Sequence, residues 1–197
     1  MKSIDVKGTM RTEIGKKSTR ELRKTDAVPC VLYGVEKDEK GLPVATHFAV
    51  NNSELRNLVY SPDIYAVNLT IDDKACKAVL KDIQFHPVKD TILHVDFYQV
   101  TEDKPIVMEV PVQMNGLAAG VRAGGKLQTI VRKLKVKALY TAIPEKLNID
   151  VTNLELGKSI KVGELSFEGL ELVNSPEVVV CSVRMTRAAR GAAAAAE

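Results

Sequence analysis

Along most of this chain apolar and polar positions alternate singly, the period-two signature of half-buried strands. In TILHVDFYQV (91–100), Leu93, Val95 and Phe97 fall on one face and His94, Asp96 and Tyr98 on the other. SIDVKGTMRT alternates weakly and opens the chain as a strand, and AVPCVLYG is a strand with Pro29 at its edge and Gly34 at its end. EKDEKGLP is a polar turn and VATHFAV the strand after it. IYAVNLTI and KACKAVLKDIQF pair as a hairpin across DDK. Two short segments break the alternation. GKKSTRELRKTD predicts a helix capped by Ser18 or Thr19, with Leu22 as its only apolar anchor and most of its surface exposed. Arg20, Arg23 and Lys24 stand at i, i+3 and i+4, so they share one cationic side. NNSELRNLVYSPD predicts a second helix, capped by Asn51 or Asn52, burying Leu55, Leu58 and Val59 and stopping before Pro62.

VTEDKP (100–105), polar and ending in Pro, reads as a seam between domains. Beyond it come strand-like runs: IVMEVPVQM, IVRKLKVKALY, KLNIDV, KSIKV and EVVVCSVRM. In the second, Val131, Lys133, Lys135 and Lys137 share a face opposite Leu134, Val136 and Ala138, as in a half-buried antiparallel strand. The expected architecture is mainly β. A small β-barrel with two short helices occupies 1–99, a β-rich domain 100–186, and a disordered alanine-rich tail 187–197.

Composition sharpens this picture at three points. Aromatic residues are 5% of the chain and Trp is absent, so the cores must be aliphatic. No apolar run reaches the roughly 18 residues of a membrane helix, and the N-terminal stretch lacks the apolar core of a secretory leader, so the chain reads as cytosolic. The three cysteines, Cys30, Cys76 and Cys181, are far apart with no C-x-x-C, which argues against zinc or dithiol chemistry; Cys30 and Cys181 read as small core residues.

Net charge is only +3, but its distribution is uneven. Up to Gly34, Lys2, Lys7, Arg11, Lys16, Lys17, Arg20, Arg23 and Lys24 face only Asp5, Glu13, Glu21 and Asp26, so the rest of the chain is close to neutral. A local cationic excess attracts a polyanion without a basic overall composition; charge alone favours the plainer reading, a solvated surface.

Catalysis finds little support. His94 and Asp96 lack a nucleophile elbow such as G-x-S-x-G, and His47, His86 and His94 have no metal-ligand spacing. The pair is either a structural hydrogen bond at a barrel rim or a ligand grip. GLAAGVRAGGKLQ (116–128) is not a phosphate loop, because Leu127 follows Gly125-Lys126; its glycines mark flexible or tightly turned backbone that could touch a partner. The lysine face of 133–137 reads as a solvated face or edge protection, with RNA contact as the sharper alternative.

RTEIGKKSTRELRK followed by VPCVLYG, then DIQFHPV and HVDF, resembles the bacterial ribosomal large-subunit protein twenty-five family in order and spacing. The second domain resembles the β-rich C-terminal domain of its long form, the general stress protein CTC type, through VPVQMNGLAAGVRAGGKL and IPEKLNIDVTNLELGKSIKV. The resemblance implies a non-enzymatic constituent of the large subunit's central protuberance, without cofactor, metal or small-molecule substrate. Its partners would be 5S ribosomal RNA at the loop E region and neighbouring large-subunit proteins. It places RNA contacts at Arg11, Lys16, Thr19, Arg20, Arg23, Tyr33, Gln84, His94 and Asp96. Glu21 stands where some relatives carry a basic residue, and Lys17 where Gly is common. In such a site arginine and lysine bind phosphates and fix register, while Asp96 and His94 read base edges or 2′-hydroxyls. The alternative from another class is a stress-linked module whose C-terminal domain binds a protein partner.

Overall fold

A computed structural model describes residues 2–34 and 44–187. The expected turn at 36–43 and the alanine-rich tail from 188 onward lie outside the described residues. The chain divides into two compact units, changing from one to the other at Lys104–Pro105.

The first unit is a closed barrel. In chain order it contains β1 (Lys2–Met10), α1 (Lys16–Lys24), β2 (Ala27–Tyr33), β3 (Thr46–Asn51), α2 (Asn52–Val59), β4 (Tyr65–Ile71), β5 (Lys74–Phe85) and β6 (Ile92–Gln99). Around the barrel the order is β1-β3-β2-β6-β5-β4, with β1 closing onto β4. The β1–β4 and β2–β6 ladders are parallel and the others antiparallel, with β4 and β5 forming the expected hairpin. Closure removes every exposed sheet edge. The interior is aliphatic, as the scarcity of aromatics requires: Val6, Cys30, Val67, Leu69 and Val95 surround just two buried rings, Phe48 and Phe97, 5.8 Å apart. Helix α2 adds Leu55 and Leu58 to this core. Its N-cap is Asn51, whose side-chain oxygen accepts from the Ser53 N–H at 3.1 Å.

Two expectations for the barrel need correction. Neither Ser18 nor Thr19 caps α1; the cap is Gly15, at φ 147°, a backbone state that favours glycine. Ser18 and Thr19 lie inside the helix, where their hydroxyls bond back to the Glu13 and Gly15 carbonyls. Pro29 is not on an edge strand, because β2 is flanked by both β3 and β6. The parallel ladder to β6 starts at Cys30, so the proline's missing N–H falls just outside it.

The second unit forms two sheets. Strands β7 (Ile106–Asn115), β9 (Lys133–Ala138), β10 (Leu147–Asp150) and β12 (Glu171–Leu172) make one in the order β10-β7-β9-β12. Strands β8 (Lys126–Thr129), β11 (Ser159–Lys161) and β13 (Val179–Arg184) make the other in the order β11-β13-β8. The alternation in β9 is as expected, with Leu134, Val136 and Ala138 buried and the three lysines exposed. Edge protection does not explain those lysines, since β9 is an inner strand. Lys135 and Lys137 instead reach across to Glu109 on β7 (4.0 Å) and Glu171 on β12 (2.9 Å). The glycine-rich segment proves tightly turned. It contains a one-turn helix, α3 (Ala119–Arg122), and a Cβ added at Gly120 would lie 2.6 Å from the Glu155–Leu156 backbone.

Candidate nucleic-acid interface

The outer face of β2, β6 and β5 is ordered by register. Gln84 lies opposite His94, Asp82 and Val31 flank Asp96, and Tyr33 lies opposite Tyr98. Register partners share a face, and the residues between them, Val95 and Phe97, are buried. The expected inward position of Leu93 is the exception. Pairing with β5 jumps from Gln84–His94 to Phe85–Ile92, so Leu93 is the extra residue of a β-bulge and Ile92 takes the buried place.

That bulge positions α1. No residue of the helix is fully buried. The Arg23 guanidinium clasps the carbonyl of Leu93, Nη2 donating at 2.8 Å and Nε at 3.1 Å. The cation is thereby fastened next to His94 in sequence, with Nη1 outside the clasp. Lys16 and Arg20 are exposed and enter no ion pair among the described residues.

Arg11 and Thr19 are partly turned inward. Arg11 continues the β1 ladder through its N–H to the His47 carbonyl, and its Nη2 donates to the Glu13 carbonyl and to Thr19 Oγ1, both at 3.2 Å. Its Nε is buried without a partner among the described residues. The Thr19 hydroxyl gives its proton to the Gly15 carbonyl at 2.7 Å, so it can meet a ligand only as an acceptor. These bonds lock the 11–19 loop into the start of α1.

His94 Nδ1 lies 2.8 Å from Asp96 Oδ1, with about a quarter and a third of the two side chains exposed. Nδ1–H donates to the carboxylate, so a neutral ring turns Nε2 outward as an acceptor, and only the imidazolium donates there. The Asp96 carboxylate keeps its second oxygen. Asp82, in register with Asp96, accepts from the Ile83 N–H at 2.9 Å. Two carboxylates in register repel each other, and this becomes favourable only when a ligand brings donors between them. Tyr33 and Tyr98 meet edge to face, 5.9 Å apart at 78°. Burial, then Asp96, Asp82 and Tyr98, push the Tyr33 phenol above its ordinary range, which keeps it a neutral donor. Behind this face Cys30 is pushed up to about 12, first by burial and then by Asp96, with Arg11 opposing.

The structure therefore gathers Tyr33, Gln84, His94 and Asp96 on one barrel face, with Arg23 tethered to it through α1. Asp82 and Tyr98 belong to that face and had not been named as contacts. Period-two alternation through DIQF already places Asp82 on the side of Gln84, and Tyr98 on that of Asp96. Among the described residues no three His, Cys, Asp or Glu side chains cluster as metal ligands would. No helix of the described residues is long and apolar enough to cross a membrane.

Comparison with known proteins decides the lineage of this arrangement. The model of the Ribosomal L25p family matches residues 6–97, and that of the ribosomal protein TL5 C-terminal domain matches 105–187. The large ribosomal subunit protein bL25 of Phocaeicola vulgatus is 71% identical over 196 residues, covering 100% of this chain and 99% of its own length. The chain belongs to the Ribosomal L25p family, in its long two-domain form. Proteins of the same name from Porphyromonas gingivalis and Parabacteroides distasonis are 56% and 50% identical, each spanning 98% of this chain and 98% and 99% of their own lengths. The L25p match ends at the last core residue of β6, and the TL5 match begins at the first residue of the second unit. This is a family of structural rather than enzymatic proteins.

Proposed function

We propose that this protein is a structural constituent of the large ribosomal subunit in the cytoplasm, and that its barrel binds 5S ribosomal RNA at the loop E region of the central protuberance. Neighbouring subunit proteins would be its other partners. The observation that carries the reading is the union of α1 with the bulge of β6. One guanidinium fastens an exposed cationic helix beside a row of hydrogen-bonding side chains. Cations alone would bind any polyanion; a row of acceptors alone would repel one.

The division of labour follows from the chemistry. Lys16 and Arg20 neutralise phosphates, and Arg23 does so through Nη1 while its other donors hold the helix. Arg11 and Thr19 shape the loop and offer what donor and acceptor capacity their internal bonds leave. These contacts supply affinity and register. Discrimination comes from Gln84, His94, Asp96 and the Tyr33 phenol. Asp96 accepts from a 2′-hydroxyl or a base amino group, and Tyr33 donates. A wide, shallow minor groove exposes such groups, whereas the deep major groove of regular A-form RNA hides its edges. Tyr33 and Tyr98 brace each other, so the phenol reaches the RNA from a fixed position.

The test is filter binding of the full chain to 5S ribosomal RNA over a salt series, with hydroxyl-radical footprinting of the RNA. Protection confined to one irregular helix is expected. An unprotected 5S RNA at protein concentrations that saturate the filter would remove the assignment.

A further inference from the structure

We propose that the second unit carries its own anion-binding edge, built from Arg122, Lys126 and Arg184, which grips the phosphate backbone of double-helical RNA. The proposal rests on the reading that the protein works on ribosomal RNA, and it concerns a surface separate from the barrel face.

The decisive observation is a like-charge pair in register. On the outer face of the β8–β13 ladder Lys126 lies directly opposite Arg184, and both are exposed. Like charges placed so are mutually destabilising. Edge protection accounts for Lys126 on the outer strand β8 but not for Arg184 on the central strand β13. Arg122 ends α3, four residues before Lys126, and is also exposed. None of the three enters an ion pair among the described residues. Glu155, whose main chain abuts Gly120, forms no ion pair with any of them among the described residues. The β9 stripe on the other sheet is the contrast, since Lys135 and Lys137 are answered by Glu109 and Glu171.

The three cations are also mounted rigidly. The Gly125 N–H donates to the Gly120 carbonyl and the Gly120 N–H to that of Leu154, both at 2.8 Å. Both glycines pack so closely on Val183 that an added Cβ would come within 2.9 Å and 2.6 Å of it. Thr186 Oγ1 donates to the Gly124 carbonyl at 2.7 Å, tying the chain beyond Arg184 to the turn before β8. The braced backbone fixes where the three side chains start, and two arginines suit the forked geometry of phosphate oxygens.

The probe is a 20-base-pair RNA duplex of arbitrary sequence, titrated with the full chain by filter binding across a salt series. The triple variant Arg122→Gln, Lys126→Gln, Arg184→Gln should lower the slope of log K against log salt by roughly 2 to 2.7, at about 0.7 to 0.9 per lost contact. Hydroxyl-radical protection of the irregular loop E helix of 5S RNA should hold, because the barrel face is untouched. The control Lys133→Gln, Lys135→Gln, Lys137→Gln should lower the duplex slope by less than half as much. All six positions are exposed, and equal thermal midpoints will establish that the variants fold. An unchanged duplex slope in the first variant overturns the proposal. So does poly-glutamate displacing the duplex at equal charge concentration, which would make the partner an acidic protein. Wild-type protein that leaves the irregular loop E helix of 5S RNA unprotected while the duplex slope still responds would instead refute the barrel assignment and leave this one standing.

Discussion

Arg23 has two separable duties, and a pair of substitutions divides them. In the free protein its Nε and Nη2 hold the Leu93 carbonyl at 3.1 and 2.8 Å. Beyond that clasp, the described contacts that secure α1 are the half-buried Ser18, Thr19 and Leu22 and the bond from Arg11 to Thr19. A solvent-exposed hydrogen bond from a charged donor is worth about 1 kcal/mol net. Arg23→Ala should therefore lower unfolding stability by about 1 kcal/mol and raise amide exchange in 16–24 several-fold. It should also flatten the salt dependence of 5S RNA binding by about 0.7 to 0.9, the loss of one phosphate contact. Arg23→Lys restores the charge but not the fork, because an ammonium cannot place two donors on one oxygen as a planar guanidinium does. Its slope should return to the wild-type value while exchange in α1 stays fast and affinity stays reduced. Arg20→Ala, with no ion pair to lose among the described residues, should flatten the slope and leave exchange unchanged. The measurements are urea denaturation, native-state hydrogen exchange and filter binding at four or more salt concentrations. If Arg23→Lys recovers α1 protection in full, or Arg23→Ala never loses it, the clasp does not position the helix and the argument is wrong.

Three further outcomes follow from the same geometry. Asp96→Ala should weaken 5S RNA binding about tenfold with little change of salt slope, since a carboxylate releases no counterions from RNA; an unaltered affinity would end its role as reader. Cys30 is raised from 9.0 to about 12, so its contribution is intact below pH 9 and is lost as pH climbs from 9 to 12. Wild-type stability should fall over that window by up to roughly 4 kcal/mol more than that of Cys30→Ala, followed by denaturation at each pH. Gly120→Ala, meeting backbone at 2.6 Å, should cost about 2 to 3 kcal/mol in the second unit. Gly157→Ala, at φ +75° with open space around it, should cost about 1 kcal/mol; equal thermal midpoints for the two would show that the glycine-rich turn yields.

The strands of the barrel were legible because alternation is a local signal and one face of each strand is buried. Val95 and Phe97 declare themselves against His94 and Asp96 without any knowledge of the neighbouring strand. Which strands are neighbours is another matter. The parallel β2–β6 ladder joins residues more than sixty positions apart, and no period within either segment encodes it. The same limit explains Pro29. Read alone, a proline argues for an edge; in the barrel it escapes because the ladder to β6 begins one residue later. In the second unit the lysines of β9 were visible as a face, but their partners Glu109 and Glu171 come from strands whose order the local pattern does not contain.

The candidate site shows where residue types suffice and where they do not. The cationic spacing of Arg20, Arg23 and Lys24 follows from helical geometry, and the His94–Asp96 pairing from strand geometry. What joins helix to strand is a carbonyl freed by a one-residue bulge, and a bulge leaves no mark in an alternating sequence except a hydrophobic residue on the wrong face. Ile92 is that mark: strict alternation puts it on the face of His94 and Asp96, yet it takes the core position, while Leu93 yields its backbone oxygen to Arg23. Had the ladder run straight, that oxygen would have been free to enter β-pairing, and α1 would have lost the tether that compensates for its lack of a buried residue. The irregular step in the sheet is thus what lets a nearly unanchored cationic helix sit beside hydrogen-bonding side chains. An interface that must attract a polyanion and still discriminate among its grooves needs both within one rigid body.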